Sequence, residues 1–209
     1  MRIITISREF GSGGRELGKR LADELGTAYY DKEILAKIAE RVRMDEHYID
    51  QVLERSYTVQ YPYTFQRSFT MFPPILNQRP NLLAEQAKVI RDLANKEDCV
   101  IVGRGANALL REQKPFNIFV YADMEAKRTR CRERAAEDEQ FSDRELEQKI
   151  RQIDKARAST YELISGCLWG DKKEYHLCIN TTDLELKAVV PHIAAYIRAW
   201  FENETNYRK

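Results

Sequence analysis

Ser7-Arg8-Glu9-Phe10-Gly11-Ser12-Gly13-Gly14-Arg15-Glu16 follows directly on the β-branched run Ile3 to Ser7. That run is short and apolar, which suits a strand buried on both faces. Beyond the glycines, Leu17, Leu21 and Leu25 recur every fourth residue, Ala22 widens the stripe, and Gly26 supplies a stop. Glu16 to Leu25 therefore reads as an amphipathic helix. A buried strand joined to a helix through glycines and a serine makes a turn whose N–H groups can point inward, at the positive end of the helix. Such a turn suits a phosphate.

Outward from this unit the pattern repeats. Ala28 to Tyr30 reads as a short strand. From Lys32 to about Arg55, Ile34, Leu35, Ile38, Ala39 and Val42 keep helical period, with a second helix expected over Asp45 to Leu53. Between Ser56 and Pro80 the periodicity fails: Tyr57, Tyr61, Tyr63, Phe65, Phe69 and Phe72 share the stretch with Pro62, Pro73, Pro74 and Pro80. This reads either as a loop packed by its own aromatics or as a flap or homodimer contact. Asn81 to Ala94 is expected to be helical and leads to an apolar strand, Cys99 to Val102, ending in Gly103-Arg104-Gly105. A strand over Phe116 to Tyr121 precedes the charged helix Met124 to Glu139, and a strand over Tyr175 to Ile179 precedes a closing helix from Leu184 to Phe201. Strands alternating with helices predict an α/β fold with a parallel sheet and crossover helices. The Ile3, Cys99 and Phe116 strands are expected at its centre, with functional residues at their C-terminal ends.

The 209 residues carry 34 Lys+Arg against 33 Asp+Glu, a formal charge of +1. The overall field therefore points to neither nucleic acid nor an anionic membrane, and any electropositive site is local. Cys99, Cys131, Cys167 and Cys178 form no CxxC pair and read as reduced thiols, and His47, His176 and His192 have no evident partner. The apolar run in MRIITISREF is too short for a signal peptide or a membrane span, so the expected location is cytoplasmic.

Strand, glycine turn and helix in this order form a P-loop context, yet the consensus G-x-x-x-x-G-K-[ST] does not fit in place. With Gly11 and Gly13 on the later loop glycines, Arg8 falls on the first glycine and Gly14 on the lysine. A literal near-match from Gly13 to Lys19 would sit inside the amphipathic helix and is a decoy. Arg15 or Arg8 is the candidate substitute for the lysine charge, since either can pair with phosphate oxygens in bidentate fashion. The plainer alternative is a glycine-rich turn with solvated arginines.

ITISREFGSGGRELGKRLADELG, YYDKEIL, CVIVGRGANALL, FNIFVYADMEAKRTRCRER and YHLCINTTDL, in that order, resemble the cytidylate kinase-like family of nucleoside monophosphate kinase relatives. The resemblance implies one domain over residues 1–209 with a three-layer P-loop NTPase fold and a five-stranded parallel sheet flanked by helices. It implies an acceptor-binding helical insertion over about 32–95 and a lid over about 134–172. It implies an acceptor site at Asp31, Lys37 and Arg41, together with Gly103 and Arg104. There the family's Gly-Arg-Asp triplet reads Gly103-Arg104-Gly105, without the Asp. In the lid it implies Asp154 and Arg157, preceded by Lys149 and Arg151, and near the donor nucleotide it implies Arg128. The same charged stretches also read as exposed helices laced with ion pairs.

Three functions follow from the resemblance. One is ATP-dependent, Mg2+-assisted phosphoryl transfer to a small acceptor such as CMP or dCMP. Gly11, Ser12, Gly13 and Gly14 would hold ATP phosphates, Arg8, Arg15 and Arg128 would add charge, and Arg104 would grip the acceptor phosphate. Arg151 and Arg157, read as sharing one helix face with the Asp154 that orients one of them, would close over the pair, with the metal held through water, Ser12 or a strand-end acid. Another is a nucleotide-binding regulatory or scaffold protein that has lost transfer, as the missing lysine allows; a kinase of another small metabolite is the third possibility.

Overall fold

A computed structural model describes residues 1–54, 74–135 and 141–207. Five strands, β1 (Ile3–Arg8), β2 (Ala28–Tyr30), β3 (Cys99–Val102), β4 (Phe116–Tyr121) and β5 (Leu177–Asn180), form one sheet of order β2-β3-β1-β4-β5. Every pairing is parallel, with Ile3 opposite Cys99 and Ile4 opposite Phe116. Between them run α1 (Gly14–Leu25), α2 (Glu33–Val42), α3 (Glu46–Glu54), α4 (Pro74–Ala94), α5 (Ala106–Leu109), α6 (Met124–Glu133), α7 (Asp143–Ser165) and α8 (Leu186–Tyr207).

The two-residue period of the strands divides the core. Ile3, Cys99 and Ile101 face a layer in which Ile34, Ile38, Ile49 and Ile90 of α2, α3 and α4 are buried. Ile4, Ile6, Val100, Val102 and Val120 face the other layer, with Leu17 and Leu21 of α1 and Val190 and Ala194 of α8. Gly18 lets α1 lie close on the sheet: a Cβ there would stand 2.8 Å from Val102 Cγ2. The expected central strands are the central strands, and their C-terminal ends open on one edge of the sheet.

Several boundaries differ: β5 begins at Leu177 and not at Tyr175, α6 ends at Glu133 and not at Glu139, and α8 runs from Leu186 to Tyr207. The helix expected from Asn81 begins at Pro74 and runs through Pro80. Pro74 sits at the first position, where a missing N–H is not needed, and Pro80 forfeits one ladder bond. Downstream, Leu82, Val89, Ile90 and Leu93 are buried, and that packing holds the helix together. Most of the aromatic stretch, 55–73, and the homodimer contact expected of it lie outside the described residues, as do 136–140. Among the described residues no helix is long and apolar enough to cross a membrane.

Candidate active site

The glycine turn after β1 is held by its own backbone and by its neighbours. Ser12 N–H and Oγ both donate to the Glu9 carbonyl, at 3.4 and 2.8 Å, and Thr181 Oγ1 donates to the Ser12 carbonyl at 2.7 Å. Gly11 and Gly13 adopt φ of 75° and 80°, which glycine accepts without cost. Gly13 caps α1 with no side-chain hydrogen bond, so the first-turn N–H groups are not taken up by a capping residue. These features fit a phosphate.

Gly14 stands where the consensus lysine belongs, and the reason is steric. A Cβ at Gly14 would lie 2.5 Å from Arg8 Cβ and 3.3 Å from Val120 Cβ, so the stem of Arg8 fills the room a lysine would use. The Arg8 guanidinium reaches across to the end of β3, where a Cβ on Gly103 would overlap it. There it meets Asp31 at 3.9 Å, and Asp31 also takes Arg15 at 2.5 Å. Burial pushes Arg8 down to about 9, Arg157, Arg104 and Arg15 push the same way, and Asp31 opposes them. Arginine keeps its proton at any working pH, so this marks a buried positive field short of anions.

At the end of β3, Arg104 holds a left-handed φ of 58° between two glycines and pairs with Asp50 at 2.7 Å, while its carbonyl accepts from Gln86 Nε2 at 3.1 Å. From the other side α7 lies over the glycine turn. Asp154 accepts the Phe10 N–H at 2.6 Å, and Arg157 donates to the Arg8 carbonyl at 3.2 Å, its guanidinium 5.5 Å from the Phe10 ring centre. Burial raises the Asp154 carboxyl, opposed by the Phe10 N–H, Lys127 and Arg157.

Two cavities meet here. One, of about 730 Å³, is lined by Gly11, Gly13, Gly14, Arg15, Arg130 and Lys149 among others. The second, of about 700 Å³, is lined by Ser7, Gly103, Arg104, Lys155, Tyr161 and Trp169 among others. Arg8 and Arg157 line both.

The structure brings Arg8, Arg15, Arg104, Asp154 and Arg157 together at the strand ends with Gly11, Gly13, Gly14 and Gly103. Ser12 lies fully buried beneath the turn. Asp31 serves the arginines and lines neither cavity. Lys37 is exposed on α2, and Arg41 pairs with Asp92 of α4 at 2.6 Å on the surface. Arg128 is held by Glu125, by Asp143 at 3.6 Å and by Glu147 at 2.9 Å, a strut between α6 and α7. Arg151 is 69% exposed while Asp154 and Arg157 are 16% exposed, so the three do not share one face. Each three-residue step falls short of a full turn, and two steps carry Arg157 about 120° away from Arg151.

Lys127 escaped sequence reasoning. It is buried, with Nζ 2.6 Å from Glu9 and 3.3 Å from Asp154, and its carbonyl would lie 2.9 Å from a Cβ on Gly11. One lysine thus ties the glycine turn, α6 and α7 together. A signal existed: Met124 and Cys131, the two larger apolar residues of α6, bracket it at helical spacing. They bracket Arg128 equally well, and the charged run gave no means of choosing.

For a metal, no group of three or more His, Cys, Asp or Glu side chains is gathered among the described residues. Glu9 and Asp31 both face cations and Ser12 Oγ bonds within the turn, a setting that fits Mg2+ held chiefly by nucleotide oxygens and water.

Among solved structures, an uncharacterised protein of Eubacterium ventriosum is 26% identical, with a TM-score of 0.68 over 95% of this chain and 99% of that one. Shikimate kinase from Bacteroides thetaiotaomicron, 16% identical, has a TM-score of 0.57 over 94% and 98%. Shikimate kinase from Acinetobacter baumannii, solved with shikimate, is 15% identical with a TM-score of 0.51 over 98% and 94%. These two shikimate kinases share the P-loop kinase fold with this chain. No curated protein sequence matches it. The cytidylate kinase-like family model matches residues 3–183, and the chain belongs to that family.

Proposed function

We propose that this protein transfers the γ-phosphoryl group of Mg-ATP to a nucleoside monophosphate, with CMP and dCMP the acceptors that family membership suggests first. The observation that carries this is the junction: Arg8 and Arg157 line both cavities, where a group passing from one to the other has to travel. Transfer of a phosphoryl group needs placement and positive charge around its oxygens, and no covalent intermediate. The glycine turn and the α1 N-terminus would bind donor phosphates, with Arg15 adding charge. Arg104 would hold the acceptor's phosphate, and Arg8 with Arg157 would face the oxygens that gain charge. Bound magnesium would supply further charge neutralisation across the donor phosphates. Lys127 and Asp154 would keep α7 over the turn and so limit water.

A coupled assay with Mg-ATP against CMP, dCMP, UMP, AMP and small hydroxylated metabolites tests this. Product above that of the Arg104→Ala variant is expected, with Arg8→Ala lowering turnover roughly 10²-fold or more. If ATP binds and no acceptor yields product above the control, the protein binds nucleotide without transfer, and the regulatory reading replaces this one.

A further inference from the structure

Gln86 carries an acceptor that the fold leaves unused. The buried side of α4 is apolar at Leu82, Val89, Ile90 and Leu93, yet Arg79 and Gln86 are buried on the same helix at 4% and 1% exposure. Seven residues are close to two full turns, so these two face the same way. Arg79 donates to Thr160 Oγ1 at 2.8 Å and Gln86 Nε2 donates to the Arg104 carbonyl at 3.1 Å, and Thr160, Gln86 and Arg104 all line the second cavity. The bond to Arg104 settles which end of the amide is which, because a carbonyl only accepts. Gln86 Oε1 is then the other end, buried and without a hydrogen-bond partner among the described residues.

A carboxamide whose task ended at Nε2 would leave this oxygen stripped of water with nothing in exchange, which is costly. The oxygen calls for an N–H or O–H donor brought into the cavity. The side-chain cations that line the cavity do not supply one: none of Arg8, Arg104, Lys155 and Arg157 is bonded to it. Arg104 turns its guanidinium to Asp50 at 2.7 Å, a whole side chain away from the carbonyl that holds Gln86. An anionic group at that guanidinium and a donor at Gln86 Oε1 therefore suit the two ends of one nucleotide. A carboxamide oxygen is a common partner for the exocyclic amine of a base.

Resting on the reading of this cavity as the acceptor site, we infer that Gln86 is a specificity-determining residue whose Oε1 accepts a hydrogen bond from the exocyclic amine of the acceptor's base. Gly105, the next residue of the β3 turn and also on the cavity wall, brings no side chain to share this task. Because Nε2 is tied to the Arg104 main chain, the same residue sets the base edge relative to the arginine proposed for the phosphate. The matched probe for CMP is the 5′-monophosphate of pyrimidin-2-one riboside, which has hydrogen in place of the 4-amino group and keeps N3 as an acceptor. UMP changes N3 as well and is not a matched partner.

The test is calorimetric titration of the full chain, held with Mg2+ and a non-hydrolysable ATP analogue, with CMP and with this deaminated analogue. CMP is expected to bind roughly tenfold or more tighter. Gln86→Met keeps the length of the side chain without the acceptor and should bring the ratio close to one, whereas Gln86→Glu keeps an oxygen at the same reach and should preserve it. Loss of the bond to the Arg104 carbonyl weakens both nucleotides alike, so the ratio isolates the contact with the amine. Equal binding of the two by the wild-type chain overturns the inference and leaves Oε1 to a water, and so does a ratio undiminished in Gln86→Met. If Gln86→Met does not fold, the wild-type chain decides: the 15N resonance of the Gln86 side-chain amide should move with CMP and stay in place with the analogue, and the same response to both counts against the inference. Failure of CMP to bind removes the acceptor-site reading together with this one. Transfer to CMP with equal binding of the two nucleotides sinks only the role of Gln86, and selection of CMP through Gln86 without transfer sinks only the phosphotransfer reading.

Discussion

β1 and β3 are neighbouring parallel strands, Ile6 opposite Val102, and each ends in a glycine-bounded turn. After β1 the glycines lead into a 12-residue helix with no side-chain cap, and the binding groups on offer are main-chain N–H groups. After β3, Gly103, Arg104 and Gly105 all take positive φ, at 79°, 58° and 66°, before a helix of only four residues, and what is offered is one side chain, Arg104. In the proposed function the first turn would recognise phosphate through backbone that any sequence of small residues can supply. The second depends on which side chains surround it. Arg8 joins the two turns, lying over Gly14 of one and against Gly103 of the other.

The contrast can be broken hardest at Lys127, which braces the first turn and has no buried lysine counterpart at the second among the described residues. Lys127→Met leaves Glu9 and Asp154 facing each other without their cation, and about 3 kcal/mol of stability should be lost in urea unfolding. A loss below about 1 kcal/mol would mean the brace is incidental. Next, Gly14→Lys restores the consensus lysine and should destabilise by roughly 1–3 kcal/mol, because the added stem meets Arg8 and Val120. In an Arg8→Ala background the same change should cost measurably less, by about 0.5 kcal/mol or more. Equal costs in both backgrounds would show that Arg8 does not hold that space. The smallest effect is expected at Arg41, whose ion pair with Asp92 lies on the surface beside neither cavity. Arg41→Ala should change stability by less than about 0.5 kcal/mol and leave transfer rates alone, and a large fall in acceptor affinity would place α2 in the site after all.

The sheet was legible because each strand is an unbroken apolar run and each turn carries a glycine, so local pattern and global fold agree. Ile3 to Ser7, Cys99 to Val102 and Phe116 to Tyr121 needed no tertiary information to be placed at the centre. Backbone geometry made Gly11, Gly13 and Gly103 of the candidate site legible, since each holds a positive φ, whereas Arg8 and Arg15 were legible from their place beside the glycine turn and Arg104, Asp154 and Arg157 from the family resemblance. Charged helices were harder. Arg128 and Lys127 differ by one position, about 100° of helix, and whether the bracketing Met124 and Cys131 turn one or the other towards Glu9 depends on how α6 docks. Pro80 misled for a related reason, since propensity marks a break that the buried face of α4 overrides.

The Phe10 N–H has a further use. It is enclosed by the Asp154 carboxylate, a contact between groups 144 residues apart in sequence. That proton exchanges with solvent deuterium only when α7 and the glycine turn part. On the proposed reading, a single amide would thus act as a clock, counting in the free protein how often the way in for a nucleotide opens.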